Sequence, residues 1–249
     1  MQLRIMTYNI HRAIGVDRRF RPERIVDIIR YSDPDIVLMQ EVDEGAPRSR
    51  ELDLAKEIAV EAGFPHHAVG HNVQLRKGRY GNATLSRWPI LRERNIDLSV
   101  DARKRRGCQH TTIVVEKKAG YPHELEIFNL HLGLSVKERA RQIGTLVRSH
   151  EFKDLDPARS CLVGGDFNDW RSLLHSIFTE VLEFHCATQD DHDYEGGMRT
   201  YPSFRPTGAL DKLYYRGPLR AMTARTCRRN VARVASDHLP VIIDLEIRG

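Results

Sequence analysis

The sequence predicts an α/β fold, on three observations. Apolar runs of strand length alternate with stretches whose apolar residues recur at helical spacing. Several of the apolar runs stop at a carboxylate, amide or imidazole side chain, as strands do when they deliver groups to one edge of a sheet. No repeat, low-complexity segment or Gly/Ser linker interrupts the 249 residues, so 1–249 reads as a single domain with length enough for a sizeable core.

The first strand is Leu3 to Ile10, which alternates at Leu-Arg-Ile, grows more apolar and runs into Asn9 and His11. Pro22 suits the first turn of a helix with a buried stripe of Ile25, Ile28 and Ile29, stopped at Ser32-Asp33-Pro34. Asp35-Ile-Val-Leu-Met-Gln is a second buried strand ending at Glu41, and Leu52 to Ala62 a helix closed by Gly63. Phe64 to Trp88 is less regular, with one short strand at Asn82-Ala-Thr-Leu-Ser. Thr111 to Glu116 and Leu125 to Leu130 are strands, the latter ending at His131. Ser135-x-x-Glu138 is a capping box that opens a helix with Ile143, Leu146 and Val147 inward. Cys161-Leu-Val-Gly-Gly-Asp-Phe-Asn-Asp-Trp170 is the centre of the chain. An apolar strand exits through two glycines into Asp166 and Asn168, a pair suited to orienting a water, a metal or a phosphate. Trp170 to Leu182 reads as helix, His185 to Pro206 as a polar loop beside the site, Leu213-Tyr-Tyr as a short strand after Asp211. Val241 to Ile247 is the last strand, entered through Ser236-Asp237-His238-Leu239-Pro240.

With 41% hydrophobic and 29% charged residues, the composition is that of a soluble globular protein. No transmembrane segment is expected, since no apolar run nears the roughly 20 residues that span a bilayer. Nor does a signal-peptide pattern precede the first strand, which makes a cytoplasmic location the expectation. Cys108, Cys161, Cys186 and Cys227 are scattered, without a Cys-x-x-Cys pair, which argues against a structural zinc or a disulfide framework. The net charge of +5 favours an anionic substrate. Its densest cluster is Arg103-Lys104-Arg105-Arg106; a looser one, Arg225, Arg228, Arg229 and Arg233, reads as a solvated face.

Four apolar runs thus lead to Asn9, Glu41, His131 and the Asp166–Asn168 pair, with Asp211 and Asp237-His238 further on. Each alone has an ordinary structural explanation; together they point to one pocket. The set has no cysteine ligand, and hard oxygen donors of this kind suit Mg²⁺ or Mn²⁺. His-Glu-x-x-His, Gly-x-Ser-x-Gly and Gly-x-x-x-x-Gly-Lys are absent, against a zinc peptidase, a serine hydrolase and a phosphate-loop enzyme. Metal-assisted attack of water on a phosphoester remains.

Thr-Tyr-Asn9-Ile, Leu-Met-Gln-Glu41-Val, Gly-Asn82-Ala-Thr-Leu-Ser-Arg, Asn-Leu-His131-Leu, Gly-Gly-Asp166-Phe-Asn168, Leu-Asp211-Lys-Leu-Tyr and Ser-Asp237-His238-Leu-Pro resemble, in this order and across essentially the whole chain, the endonuclease/exonuclease/phosphatase family. The resemblance implies two packed mixed β-sheets flanked by helices, a four-layer DNase I-like sandwich. It implies Glu41, with Asn9 and Asp237, as holders of Mg²⁺ (or Mn²⁺). Asp166 would orient and deprotonate the attacking water and Asn168 would position it. His238 would bind a phosphate oxygen with Asp211 behind it, and His131 would give a second hydrogen bond. Asn82 and Arg106 are candidate substrate contacts; Lys212 could reach a substrate phosphate, though a solvated strand-end lysine is the preferred reading.

The expected function is that of a divalent-metal-dependent phosphodiesterase on nucleic acid or a phospholipid-type head group. The alternatives are a phosphomonoesterase on a small metabolite and a catalytically silent module of the same fold. Thr200-Tyr-Pro-Ser-Phe-Arg-Pro resembles a broad bacterial phosphodiesterase-like branch and departs from the abasic-site endonucleases, with their Trp-Asp-Tyr-Arg pattern. The partner expected is an anionic phosphoester, nucleic acid among the candidates, and no obligate protein partner is read from the sequence.

Overall fold

The computed structural model describes residues 1–116, 122–189 and 197–248. β1 (Gln2–Asn9) leads through a short 3₁₀ turn, His11–Ala13, and α1 (Pro22–Ser32) into β2 (Ile36–Glu44). α2 (Leu54–Ala62) precedes the hairpin of β3 (His66–Gln74) and β4 (Arg79–Ser86). β5 (Ile90–Asp97), β6 (Gly107–Val115) and β7 (His123–His131) form a meander, followed by α3 (Val136–Arg148), α4 (His150–Lys153) and β8 (Ser160–Asp166). β9 (His185–Cys186), β10 (Asp211–Arg216), β11 (Leu219–Thr226), α5 (Ala232–Ala235) and β12 (Val241–Ile247) complete the order.

The strands form two six-stranded mixed sheets, ordered β11-β12-β1-β2-β4-β3 and β5-β6-β7-β8-β10-β9. Each has one parallel pair, β1 with β2 and β7 with β8, joined by a helical crossover. The period of two then builds the layers. Leu3, Ile5, Ile36 and Leu38 face Ile127 and Leu162 in the core between the sheets. The alternate residues Met6, Tyr8, Val37 and Met39 pack outward under α1 and α2, and Phe128, Leu130, Cys161 and Val163 outward under α3. Helices cover both outer faces, so the architecture is the expected four-layer sandwich.

Several elements differ from expectation. The helix expected over Trp170 to Leu182 forms only at 175–181, most of it a π-helical turn at Ile177–Val181; the residues before it are turns, where Asp169 takes the Leu174 N–H at 2.7 Å. Phe64 to Trp88 is a full hairpin: His66–Gln74 carries mixed polarity because it is the sheet's outermost strand. β5 and β11 escaped notice for the same reason, being edge strands with largely exposed side chains. β2 runs on to Glu44, which places Glu41 inside the strand. Most of the loop expected at 185–206 is irregular as read, with β9 inside it; residues 190–196 lie outside the described set. All four cysteines are free, and no described helix is long and apolar enough to cross a membrane.

Toward one end of the sandwich the inter-sheet layer turns polar. Gln40 of β2 donates to Asn129 Oδ1 of β7 at 2.8 Å; Asn129 Nδ2 donates back across the gap to the carbonyls of Met39 (3.2 Å) and Ala83 (3.0 Å). This clamp ties the sheets together beneath the site. Asn129→Leu would take a partner from the Met39 and Ala83 carbonyls and leave Gln40 Nε2 with only the Leu38 carbonyl and the Thr7 hydroxyl, and we expect a loss of about 2 kcal/mol or more in urea unfolding. A loss below about 1 kcal/mol would show that the clamp carries no weight.

Candidate active site

The pleat that buries Leu3, Ile36, Leu125 and Leu162 between the sheets also sends Asn9, His131 and Asp166 to that layer, at the carboxyl ends of the parallel pairs. In register, His131 lies opposite Asp166, and Asp166 opposite Asp211 at the start of β10. Asp237 and His238 arrive on the segment that enters β12, beside β1. Strict alternation would turn Glu41 away. Instead β2 shifts register between Met39 and Val42, and Glu41 takes a left-handed φ of 58°, as a bulge permits.

Gly165 makes the ending of β8 possible. Its φ is +137°, and a Cβ there would sit 1.9 Å from the Leu130 carbonyl oxygen of the neighbouring strand. Gly165→Ala should therefore cost at least about 2 kcal/mol in unfolding free energy and shift Asp166 off its partners. Equal stability to the parent chain would contradict this.

The centre is a hydrogen-bonded network around Asp166. Its Oδ2 accepts from Asn9 Nδ2 at 3.0 Å and its Oδ1 from the Asn168 N–H at 3.0 Å. His131 Nε2 and His238 Nε2 stand 3.4 and 3.7 Å from Oδ2. Behind His238, Nδ1 meets Asp211 Oδ2 at 2.8 Å, and Thr200 donates to the same oxygen at 2.5 Å. Ser236 Oγ donates to the Asn9 carbonyl at 2.7 Å and accepts from the His238 N–H at 3.2 Å, locking the last segment to the first strand.

Electrostatics divides the two imidazoles. Burial would strip the proton from His238, but Asp211 and Asp166 on either side outweigh it and raise its pKa to about 10, so it is a cation at neutral pH. His131 is held well below its ordinary value, by burial first and then by Arg106, Lys104 and His238, so it is neutral. Burial raises the Asp166 carboxyl, against the pull of His238. Glu41 goes the other way: burial penalises its charge, yet Arg12, Lys104, His11 and Arg106 keep its pKa below the usual value.

Not every expected residue enters this network. Asp237 is one-third exposed at its edge, with Oδ1 3.4 Å from Ser236 Oγ and 3.9 Å from His11 Nδ1. Asn168 donates to the Leu132 carbonyl at 3.0 Å. Asn82 is buried and gives its amide nitrogen to the carbonyls of Gly107 (3.2 Å) and Asn129 (3.0 Å), which leaves only its oxygen for a ligand. Arg106 is buried with an unpartnered Nε. Lys212 is not solvated but 3% exposed, on the outer face of its strand, donating to Ser172 at 3.1 Å. Of the looser basic cluster, Arg225 pairs with Asp244 at 3.0 Å and Arg229 lies 4.1 Å over the Tyr31 ring, so these two are engaged rather than merely solvated.

Thr200, Ser236, Arg12 and Lys104 were not foreseen. Thr200 and Ser236 sit inside the motifs already singled out, and that adjacency was the available signal. Trp170 adds an aromatic rim. It is 53% exposed and edge-on to Tyr201 (5.6 Å, 89°), whose ring lies 5.0 Å from that of His238.

The donor set fits a hard divalent cation. Glu41 Oε2 is buried without a hydrogen-bond partner, an anionic oxygen that water cannot reach. Ligand atoms of Asp166, Asp211 and His238 also lie within 4.8 Å of one another. In that second group the oxygens are largely spent on Asn9, Asn168, Thr200 and His238, so Glu41 is the better holder.

Comparison with known proteins agrees with this fold. A model of the Endonuclease/Exonuclease/phosphatase family matches residues 6–238. The uncharacterized protein YbhP of Escherichia coli (strain K12) is 30% identical over an alignment of 256 residues, covering 98% of this chain and 96% of the relative. An endonuclease/exonuclease/phosphatase from Beutenbergia cavernae superposes with a TM-score of 0.82 at 22% identity, over 100% of this chain and 72% of that one. A mannosyl-6-phosphatase of Bacteroides thetaiotaomicron does so with a TM-score of 0.73 at 19% identity, over 98% and 99%.

Proposed function

We propose that this chain, which belongs to the endonuclease/exonuclease/phosphatase family, hydrolyses phosphoester bonds with a divalent cation, Mg²⁺ or Mn²⁺, and that its substrate is a phosphodiester. The observation that carries the reading is the buried group around Asp166: a carboxylate held at both oxygens, a charged imidazole and a neutral one, facing the same space. Glu41, with Asp237 and the remaining lone pair of the Asn9 oxygen, would hold the cation. Bound there, it would offset charge on the phosphoryl oxygens and on the departing oxygen.

The chain's own residues supply the rest. Asn9 and the Asn168 N–H aim the Asp166 carboxylate, which takes the proton of the attacking water as its oxygen bonds to phosphorus. The bond to the departing ester oxygen breaks on the far side. His238, kept protonated by Asp211, donates through Nε2 to a phosphoryl oxygen, and His131 donates from its neutral ring. Arg106 adds positive charge nearby. Trp170 and Tyr201 offer the second ester arm of a diester an apolar wall that a monoester would leave bare, and this favours the diester. Nucleic acid and phospholipid-type head groups both present such an arm.

A chromogenic phosphodiester, the matching monoester and plasmid DNA, each assayed with Mg²⁺, Mn²⁺ or chelator, test the proposal. We expect diester hydrolysis with metal and at least about a hundredfold loss on chelation. Activity that survives chelation, or none on any ester with metal present, would refute it.

A further inference from the structure

Three cations crowd Glu41 in a way that one carboxylate does not explain. Arg12, Lys104 and Arg106 all act on its charge, while Arg48 nearby is already matched by Asp43 at 2.7 and 2.8 Å. Arg12 Nε forms a loose ion pair with Glu41 Oε2 at 3.7 Å, too far for a hydrogen bond, and both atoms are buried without a hydrogen-bond partner. Arg106 is 6% exposed, again with Nε buried and unpartnered. Lys104 is drawn in over the Tyr80 ring, 4.9 Å from its centroid, and donates to the Tyr80 hydroxyl at 3.0 Å. The chain accepts local strain to place Arg12: His11, Arg12 and Ala13 are three consecutive non-glycine residues with φ of 45°, 60° and 57°.

Bringing a divalent cation to Glu41 would sharpen the repulsion among these groups unless an anion sits between them. The phosphoryl group under attack is already accounted for by His131, His238 and the cation. We propose that Arg12, Lys104 and Arg106 form a second anion subsite, and that the substrate carries a second phosphate group next to the one being hydrolysed. This rests on the hydrolase reading above and narrows it. Guanidinium groups suit a phosphate because their planar donors match two of its oxygens at once. Such a phosphate belongs either to the next position of a nucleic-acid strand or to a small bisphosphorylated compound.

The test has two arms. In the first, the Mg²⁺-loaded protein is given a dinucleotide with and without a terminal 5′-phosphate, and a polyol phosphodiester with and without a second phosphate. The wild type should favour the extra phosphate by about tenfold or more in kcat/KM. Arg12→Gln and Lys104→Gln should each erase most of that preference through KM, with Arg12→Lys retaining part of it. Preference on the dinucleotide assigns the phosphate to a strand; preference on the polyol assigns it to a small molecule.

In the second arm, pyrophosphate is titrated into metal-free protein by calorimetry, with melting curves to show that the variants are folded. Wild type should bind, and both Gln variants should bind about tenfold more weakly. An active enzyme indifferent to the extra phosphate would overturn the subsite, as would pyrophosphate binding unchanged in both variants. If no ester is hydrolysed while the variants still lose pyrophosphate, the subsite stands and the hydrolase reading falls.

Discussion

Asp166→Asn should lower kcat by about 10³-fold while leaving the protein folded. Asparagine keeps the shape and an oxygen for one of the two donors, Asn9 Nδ2 and the Asn168 N–H, which meet different oxygens of Asp166 at 3.0 Å, but it accepts no proton from water. Two opposing effects should leave stability little changed: the amide N–H₂ faces one of those donors, while a penalty on the buried carboxylate is lifted. Burial raises the carboxyl's pKa to about 6, so the folded state binds its proton more tightly than the unfolded chain does, and ionising it disfavours folding. Asparagine removes that penalty. In the parent enzyme the same shift sets the acid limb of activity: the base is lost as pH falls through about 6. Steady-state rates with saturating metal, beside a melting curve, check both parts. A variant turning over within tenfold of wild type would remove Asp166 from the chemistry.

His238→Gln should cost about 10² to 10³ in kcat. Glutamine can still donate to Asp211, whereas alanine would leave that buried carboxylate with Thr200 alone and confound folding with catalysis. What glutamine lacks is the positive charge that Asp211 and Asp166 hold on the ring. The wild-type rate should accordingly decline at alkaline pH as His238 loses its proton, and His238→Gln should show no such limb. Retention of the alkaline limb in the variant would assign it to another group. Asp211→Asn should move the limb to lower pH, because the carboxylate raises the His238 pKa.

Much of this was legible in the chain itself. Strands buried on both faces read as apolar runs, and an amphipathic helix shows its stripe, so Ile25, Ile28 and Ile29 fell where α1 buries them and Val241 to Ile247 matched β12. Edge strands carry no such mark: β5 and β11 turn many side chains to water, β3 is half-buried with mixed polarity, and each is held on one side only, by the next strand of the chain. The turns after Trp170 show a local preference overridden by Asp169, a buried partner of Arg139 at 3.3 Å.

By itself, the sequence determined which groups gather, because Asn9, His131 and Asp166 stand at strand ends and alternation commits them to the same face as the core. Only the tertiary structure decided what each group is. His131 is neutral through burial and the nearby Arg106 and Lys104, and His238 is a cation through Asp211 and Asp166, partners on other segments of the chain. Asn82 spends its amide across the gap between the sheets, and Glu41 faces the site through a bulge that alternation alone would not supply. Charge state and side-chain direction depend on burial and on partners brought together by folding, and a linear pattern carries neither.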